Sequence, residues 1–341
     1  MSFPLNTYVC GVFFSFLATL LTGYLWRRWC LRIGLVDEPG HRKIHQEPIP
    51  LAGGFAVLTG LMIPIVSASL LLLLRSSKGK IGTALFGMID FLAPNATELL
   101  QHGLARRSVQ LAGIFIGAIG IVVVGWLDDL RELRPRTKFL GQLLVAAIVA
   151  ASGVRITLFV HHPFFHYIIT ILWILTLINA FNFMDNMNGL CAGLAAVAAW
   201  YFGLIAAADA QYLVGLIAFL TFGAVLGFLP FNFPRARVFL GDAGSHLLGY
   251  LMAVLAILPH FYTQRHPRHW AVFIPLLVLA VPLADLVWVV ILRTRIGLPF
   301  YMGDNNHLSH RLVRLGLSPV QAVLSIWLMA ALLGGLAFLL N

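Results

Sequence analysis

Four polar side chains recur at every third position of NAFNFMDNMNGL, residues 179–190: Asn179, Asn182, Asp185 and Asn188. At roughly 100° per residue, helix positions three apart are neighbours, so these four form one slowly winding polar ridge. The ridge emerges from the apolar run YIITILWILTLI. Facing lipid it would be costly, and polar groups at membrane depth face a bundle interior or a water-filled cavity. Hydrogen bonding between helices is the structural alternative for any one asparagine. Four polar groups in register beside Gly189 favour a site.

Three further stretches carry groups of the same kind. GWLDDLRELRPRTK, residues 125–138, sets Asp128 and Asp129 at the end of an apolar run, ahead of a basic loop. Adjacent carboxylates repel, and tolerating both at a membrane interface calls for a cation or a base role; solvation of a helix end is the plain alternative. FNFPRARVFLGDAGSHLLGY, residues 231–250, holds Asp242 among glycines that free the backbone, where an acid or serine caps the helix that follows. Capping does not exclude metal ligation, and a helix N-terminus also favours phosphate. RTRIGLPFYMGDNNHLSHRLVRLG, residues 293–316, places His307 and His310 three apart beside Arg311. That trio suits phosphate oxygens better than zinc, which wants a third or fourth ligand nearby; a solvated basic loop is the alternative. GLVDEPGHRKIHQEPIPLAGG, residues 34–54, mixes Asp37, Arg42, Lys43 and His45 with prolines and by itself reads as a structured connector.

The elements that must position these groups are membrane helices. Of 341 residues, 60% are hydrophobic and only 11% charged, and the mean hydropathy is +0.90, beyond the range of a soluble domain. Apolar runs near 8–26, 51–74, 109–127, 138–152, 167–182, 190–207, 211–229, 246–259, 270–292 and 320–340 predict an all-α, polytopic membrane protein of about ten spans in a single domain covering residues 1–341. The runs 138–152 and 246–259 are the shortest of the ten. A net charge of +10 is read here as a topology signal, with no nucleic acid among the expected partners. With the N-terminus outside, the inner loops hold fifteen of the 23 lysines and arginines, from Arg27 and Arg28 to Arg311 and Arg314. Nine of the 13 acids lie on that same side, among them Asp37, Asp128, Asp129, Asp185, Asp242 and Asp304. Acids and bases gathered on one face are what a charged-substrate site needs and what orientation alone does not require. No cleavable signal peptide is evident, because the first apolar run lacks a basic leader and ends in Arg27-Arg28. Cys10, Cys30 and Cys191, odd in number and far apart, indicate neither a disulfide framework nor a zinc site.

The DEPGHRKIHQEPIPLAGG loop, the LDDL pair, NAFNFMDNMNGL, FLGDAGS and the DxxHLSHRL ending occur in this order over roughly residues 34–312. In that order they resemble the polyprenyl-phosphate N-acetylhexosamine-1-phosphate transferase family. The chain is similar to its bacterial members, and more distantly to the phospho-MurNAc-pentapeptide translocase. The resemblance implies a ten- or eleven-span enzyme with its active site on the cytoplasmic face of the inner membrane. Mg²⁺, or Mn²⁺ in its place, would be the cofactor. A UDP-N-acetylhexosamine would give its sugar 1-phosphate to undecaprenyl or another polyprenyl phosphate, releasing UMP, in a membrane-lipid setting where a second copy of the chain is a candidate partner. It implies a metal held by Asn182 and Asp242, Asp128 and Asp129 in the lipid-phosphate and metal environment, and Asp185 as a further essential acid. Asn188 falls where uridine recognition is expected, and His307 and His310 where nucleotide phosphates are bound. Asn179 and Arg311 complete the expected binding set, with Lys43 and Lys138 neutralising developing charge.

Two departures stand out. Many members read DGxDGL where this chain has Asp185-Asn186-Met187-Asn188-Gly189-Leu190, so Asn186 stands for glycine and Asn188 for an acid. Ser309 replaces the middle histidine of the usual HxHH. Direct attack by the lipid phosphate is the expected route, with a covalent aspartyl intermediate as its rival. Asp285, about two turns before the basic loop, reads as a structural acid. An intramembrane prenyltransferase is one rival class, but it would want two DxxxD-like elements, and Asp128-Asp129 with Glu132 is one imperfect copy. A transporter, the other, would show polar groups at the midplane, with broken helices and inverted repeats, whereas the polar residues here gather at one face and no repeat is evident.

Overall fold

A computed structural model describes residues 5–39, 47–76, 96–157, 160, 162–259, 261, 269–299 and 306–341, with backbone alone for 71–76 and 96–106. Lys43 lies outside the described residues. The helices are α1 Leu5–Ile33, α2 Gly53–Ser76, α3 Ala96–Arg131, α4 Pro135–Ala151, α5 Pro163–Met184, α6 Leu190–Ala208, α7 Tyr212–Asn232, α8 Gly241–Ile257, α9 Ile274–Val278, α10 Ala280–Arg295, α11 Leu308–Arg314 and α12 Pro319–Leu340. Prolines start α4, α5 and α12, where a missing N–H costs nothing. A reciprocal Ser318–Gln321 capping box closes the start of α12.

Among the described residues, seven helices are long and apolar enough to cross a membrane: α1, α2, α3 from Arg107, α5, α6, α7 and α12. The run expected as one span at 270–292 is instead broken. A 3₁₀ turn at His269–Phe273 leads into α9, and α10 departs from that unit at 74°. The break falls at Leu279, three residues before Pro282, whose ring nitrogen offers no hydrogen to the carbonyl of Val278. α3 also begins earlier than its apolar run, with a bend at Arg107 (φ −117°, ψ 16°).

The two shortest expected runs became α4 and α8, each 17 residues and so about 25 Å long. Both nevertheless run the length of the bundle. Gly153, Val154 and Arg155 just past α4, and Ile257 and Leu258 at the end of α8, line one cavity of about 780 Å³ with Arg107 and Gln110 of α3 and His166 of α5. Gln110 donates from Nε2 to the Gly153 carbonyl at 3.0 Å there.

α8 is the hub, packed against α2, α3, α5, α6 and α7, and every residue from Ala243 to Ala256 is buried. α1 instead exposes Leu5, Val9, Phe13, Leu21 and Leu25, as expected of a helix whose outer face meets lipid. Among the described residues, one two-stranded ribbon interrupts the all-α plan: β1 Val36–Asp37 pairs antiparallel with β2 Ile49–Pro50. The chain at and just beyond β2 runs beside the segment that leads into α8, where Gly53 N–H donates to the Phe239 carbonyl (2.9 Å) and Phe239 N–H to the Pro50 carbonyl (3.0 Å). The stretch read as a structured connector is thereby pinned to the stretch that carries Asp242.

Candidate active site

The N-terminus of α8 organises the site. Gly241 turns the chain into the helix at φ +67°, a conformation open to glycine at little cost. α8 has no side-chain cap of its own. The orphan N–H groups of Asp242 and Ala243 instead donate to the two carboxylate oxygens of Asp129, at 2.7 and 3.1 Å. This contact requires α3 to lie against α8. It does so at Gly125, where a Cβ would come within 2.5 Å of the Ala243 backbone. Capping, weighed from sequence as a role for Asp242, thus falls to Asp129 on another helix.

With its own helix capped from outside, Asp242 turns its carboxylate to partners. Oδ1 accepts from Asn182 Nδ2 at 2.6 Å, and Oδ2 lies 2.8 Å from Lys138 Nζ. The same ammonium lies 2.7 Å from Asp128 Oδ2, while Asp128 Oδ1 accepts the Leu133 N–H that follows α3, at 2.8 Å. Adjacent residues on a helix point about 100° apart, which is how Asp128 and Asp129 serve two different neighbours. Asn182 also donates to Ser245 Oγ at 3.0 Å. Four helix ends, from α3, α4, α5 and α8, therefore meet at one ammonium and two carboxylates.

The ridge on α5 divides. Asn182 joins this cluster. Asn179, a turn earlier, donates to Gln142 Oε1 of α4 (3.0 Å) and to the Leu175 carbonyl (2.8 Å), the helix-joining use that asparagine has in bilayers. Gln142 continues to His246 Nε2 at 3.4 Å, and both are buried. Asp185 is half-buried just past the end of α5. Burial, and then the charges of Asp242 and Asp129, push its carboxyl up to about 8. Asn188 is exposed and donates to the Pro234 carbonyl at 3.3 Å. Beside it, Gly189 N–H donates to Asn232 Oδ1 (2.8 Å), whose amide reaches the Val238 carbonyl (3.0 Å).

A second, basic cluster packs on the same end of α5. Asp285 on α10 accepts from the Leu308 N–H at 2.7 Å and holds His307 Nδ1 at 2.7 Å, the structural role read for this acid. The His307 ring stands edge-on to Phe183 (5.7 Å between centroids), and the buried guanidinium of Arg293 lies 4.7 Å over the same Phe183 ring. His310 is 6.4 Å from His307, ring to ring, and Arg311 stacks 4.7 Å over Trp288. Ser309 Oγ donates to Asn186 Oδ1 at 2.6 Å. α5 thus carries Asn182 into the acidic cluster while Phe183 and Asn186 meet the basic one.

Among the described residues, no three or more His, Cys, Asp and Glu side chains form a metal cage. The oxygens of Asp242, Asp128 and the Asn182 amide nevertheless fit a hard divalent ion of the magnesium kind, which takes one or two carboxylates and leaves its other positions to water and phosphate. The Asn182 amide, placed with nitrogen toward Asp242, offers its carbonyl after a rotation about χ2. Sequence reasoning missed Gln142, Asn232, Ser245, His246 and Arg293. The available signal was spacing, since Gln142 follows Lys138 by four residues and His246 follows Asp242 by four, each on one helix face.

A sequence model of the family described as "Glycosyl transferase family 4" matches residues 111–260, a span that contains Asp128, Lys138, Asn182 and Asp242. The "Probable undecaprenyl-phosphate N-acetylglucosaminyl 1-phosphate transferase" of Bacillus subtilis (strain 168) is 28% identical over 323 residues, covering 92% of this chain and 79% of that protein. The "Undecaprenyl-phosphate alpha-N-acetylglucosaminyl 1-phosphate transferase" of Escherichia coli (strain K12) is 28% identical over 338 residues, with 95% and 81% covered. The "Decaprenyl-phosphate N-acetylglucosaminephosphotransferase" of Mycobacterium tuberculosis (strain ATCC 25618 / H37Rv) reaches 30% over 325 residues, with 87% and 73% covered. Likeness of this extent, running through the helix ends that meet at Lys138, means that the chain belongs to glycosyl transferase family 4.

Proposed function

We propose that the chain transfers the sugar 1-phosphate of a UDP-N-acetylhexosamine to a polyprenyl phosphate such as undecaprenyl phosphate, releasing UMP. The observation that carries this reading is the ammonium of Lys138 shared between Asp128 and Asp242 with Asn182 alongside, at a bundle end where a basic cluster abuts the same helix. The relatives' names point the same way. In topology, α4, α8 and the broken α9–α10 unit join the seven longer helices to make ten crossings, with the N-terminus outside and the site on the cytoplasmic face of the inner membrane. The gathering of all the site's helix ends at one end of the bundle supports that arrangement.

Two anionic phosphates must meet for this reaction, and repulsion between them is the first barrier. Asn182 and Asp242 would hold a Mg²⁺, or Mn²⁺, which when bound would neutralise phosphate charge at the point of transfer. Lys138 presents its ammonium to the acceptor phosphate, with Asp128 fixing its position from the other side. Asp129 keeps α8, and hence Asp242, in register. His307, His310 and Arg311 take the diphosphate of the donor, and Asn188 lies at the mouth for the uridine. An acceptor phosphate oxygen attacks the phosphorus that bears the sugar. The bond from that phosphorus to the bridging oxygen breaks, and UMP leaves with that oxygen. The prenyl chain has a place to lie: Trp26 and Trp29 of α1, Phe55 and Ile63 of α2 and Trp126 of α3 line an apolar groove of about 550 Å³, and Trp126 precedes Asp128 by two residues.

Purified protein in detergent, given a panel of UDP-sugars, is expected to release UMP only when both polyprenyl phosphate and a divalent ion are present, with mass spectrometry identifying the lipid product. UMP release in chelator, or without the acceptor lipid, would overturn the reading.

A further inference from the structure

Asn186 and Ser309 lie 123 residues apart yet share a 2.6 Å hydrogen bond. Ser309 is 1% exposed, and it sits between His307 and His310 on the short helix α11. Asn186 is occupied at both ends of its amide: Oδ1 accepts from Ser309, and Nδ2 donates to the Phe183 carbonyl at 2.7 Å. That second bond closes the end of α5 three residues on, which fixes the direction of the Asn186 side chain. The segment that holds Asn182, Asp185 and Asn188 and the segment that holds His307, His310 and Arg311 are thus tied together by a hydrogen bond between a buried hydroxyl and a half-exposed amide. Asp285 fastens α11 on its other side, through His307 and the Leu308 N–H, but it comes from α10 and does not touch α5 through those bonds. The Phe183–His307 ring contact, at 5.7 Å, permits sliding. Of the contacts between α11 and the end of α5 described above, the hydrogen bond is the one with a fixed direction.

We infer that the Asn186–Ser309 pair is a positioning clasp that sets the distance between the metal-holding end of α5 and the basic helix α11, and so the fit for the diphosphate of the nucleotide-sugar donor. Neither residue touches the reacting atoms. Each acts through the groups it spaces. This rests on the transferase reading, and it adds a consequence which that reading lacks: the two side chains are interdependent, and their loss is felt by the donor and not by the acceptor lipid, whose groove lies among α1, α2 and α3.

The test is a double-mutant cycle of Ser309→Ala, Asn186→Ala and the pair, in the full-length protein in detergent micelles. KM for the UDP-sugar is measured at saturating polyprenyl phosphate, and the converse. Unfolding temperature is followed in parallel, and UMP affinity by calorimetry. Each single variant is expected to raise the donor KM and the UMP dissociation constant about tenfold, the scale of one buried hydrogen bond, with the acceptor KM within about twofold. The double variant is expected to be no worse than either single, because partners in one bond are not additive. Ser309→Thr, which keeps the hydroxyl, should recover most of the loss. A fall in unfolding temperature with unchanged donor KM and UMP affinity, or additive losses in the double variant, refutes the clasp while leaving the transferase reading intact. If Ser309→Ala fails to fold, Asn186→Ala at its half-exposed position decides by the same two readouts. Wild-type protein that neither turns over nor retains UMP refutes both.

Discussion

Replacing Lys138 with methionine keeps the length and most of the bulk of the side chain and removes the one ammonium shared by Asp128 and Asp242. Both carboxylate oxygens sit on that nitrogen, at 2.7 and 2.8 Å, so without it the two carboxyl groups are left side by side, within hydrogen-bonding reach of each other. At an effective dielectric of about 20, the charge centres of two adjacent carboxylates, about 4–5 Å apart, repel by roughly 3–4 kcal/mol. The two charge-assisted hydrogen bonds lost are on the same scale, about 1.5–3 kcal/mol each. These describe one interaction from two sides and do not add. Lys138 is 21% exposed and Asp242 29%, so water takes up part of the repulsion, and about 3 kcal/mol is the expected whole. In turnover the variant also lacks the ammonium that meets the acceptor phosphate, and the loss of one such charge-assisted contact, about 1.5–3 kcal/mol, corresponds to a fall of roughly ten- to a hundredfold in kcat/KM. The assay is thermal unfolding of purified protein in detergent, in chelator and in excess Mg²⁺, alongside UMP release. Lys138→Met should unfold well below wild type in chelator and recover more than wild type when Mg²⁺ is added, because a dication between the carboxylates replaces the missing charge. A variant that unfolds with wild type in chelator, gains no more from Mg²⁺ and turns over normally would refute the reasoning.

Asp242→Ala and Asn182→Ala are expected to abolish UMP release while the protein remains folded by size-exclusion chromatography and unfolding temperature; near-normal rates in either would sink the metal assignment. Asp129→Ala should behave differently, losing about 1–2 kcal/mol of stability with the α8 cap, and Asp129→Asn, which keeps one acceptor oxygen, should lose less. Equal stability of Asp129→Ala and wild type would exclude the capping role. Asp185 supplies a pH signature. Its carboxyl is raised to about 8 in the folded protein against about 3.9 in an unfolded chain, so the folded state holds a proton that the unfolded state releases. The associated stability is fully present below pH 3.9 or so and is lost as pH rises towards 8. In chelator, wild type should therefore lose unfolding temperature between pH 5 and pH 8 more steeply than Asp185→Asn; parallel curves would refute it.

The all-α membrane character, most helix positions and the residue types of the site were legible in the sequence, because each depends on local information. Apolar run length decides whether a segment is a helix in lipid, and a polar group inside such a run announces itself. Asn182 was visible for that reason, and Asp128, Asp129, Asp242, His307 and Arg311 stood out as charged clusters at the ends of such runs or between them. What the sequence left open was which of them meet. Asp129 caps a helix 113 residues away, Lys138 reaches Asp242 across 104, and Asn186 finds Ser309 across 123. Those pairings follow from the packing of α3, α4 and α5 around α8, which depends on shape at places such as Gly125, where the absence of a side chain lets two backbones touch. The same packing decided that Asn179 joins helices while Asn182 enters the site, although both stand on one ridge, and it showed the 17-residue α4 and α8 reaching the far end of the bundle. Sequence periodicity reports which face of a helix is polar. Only the assembled bundle decides what that face is turned towards.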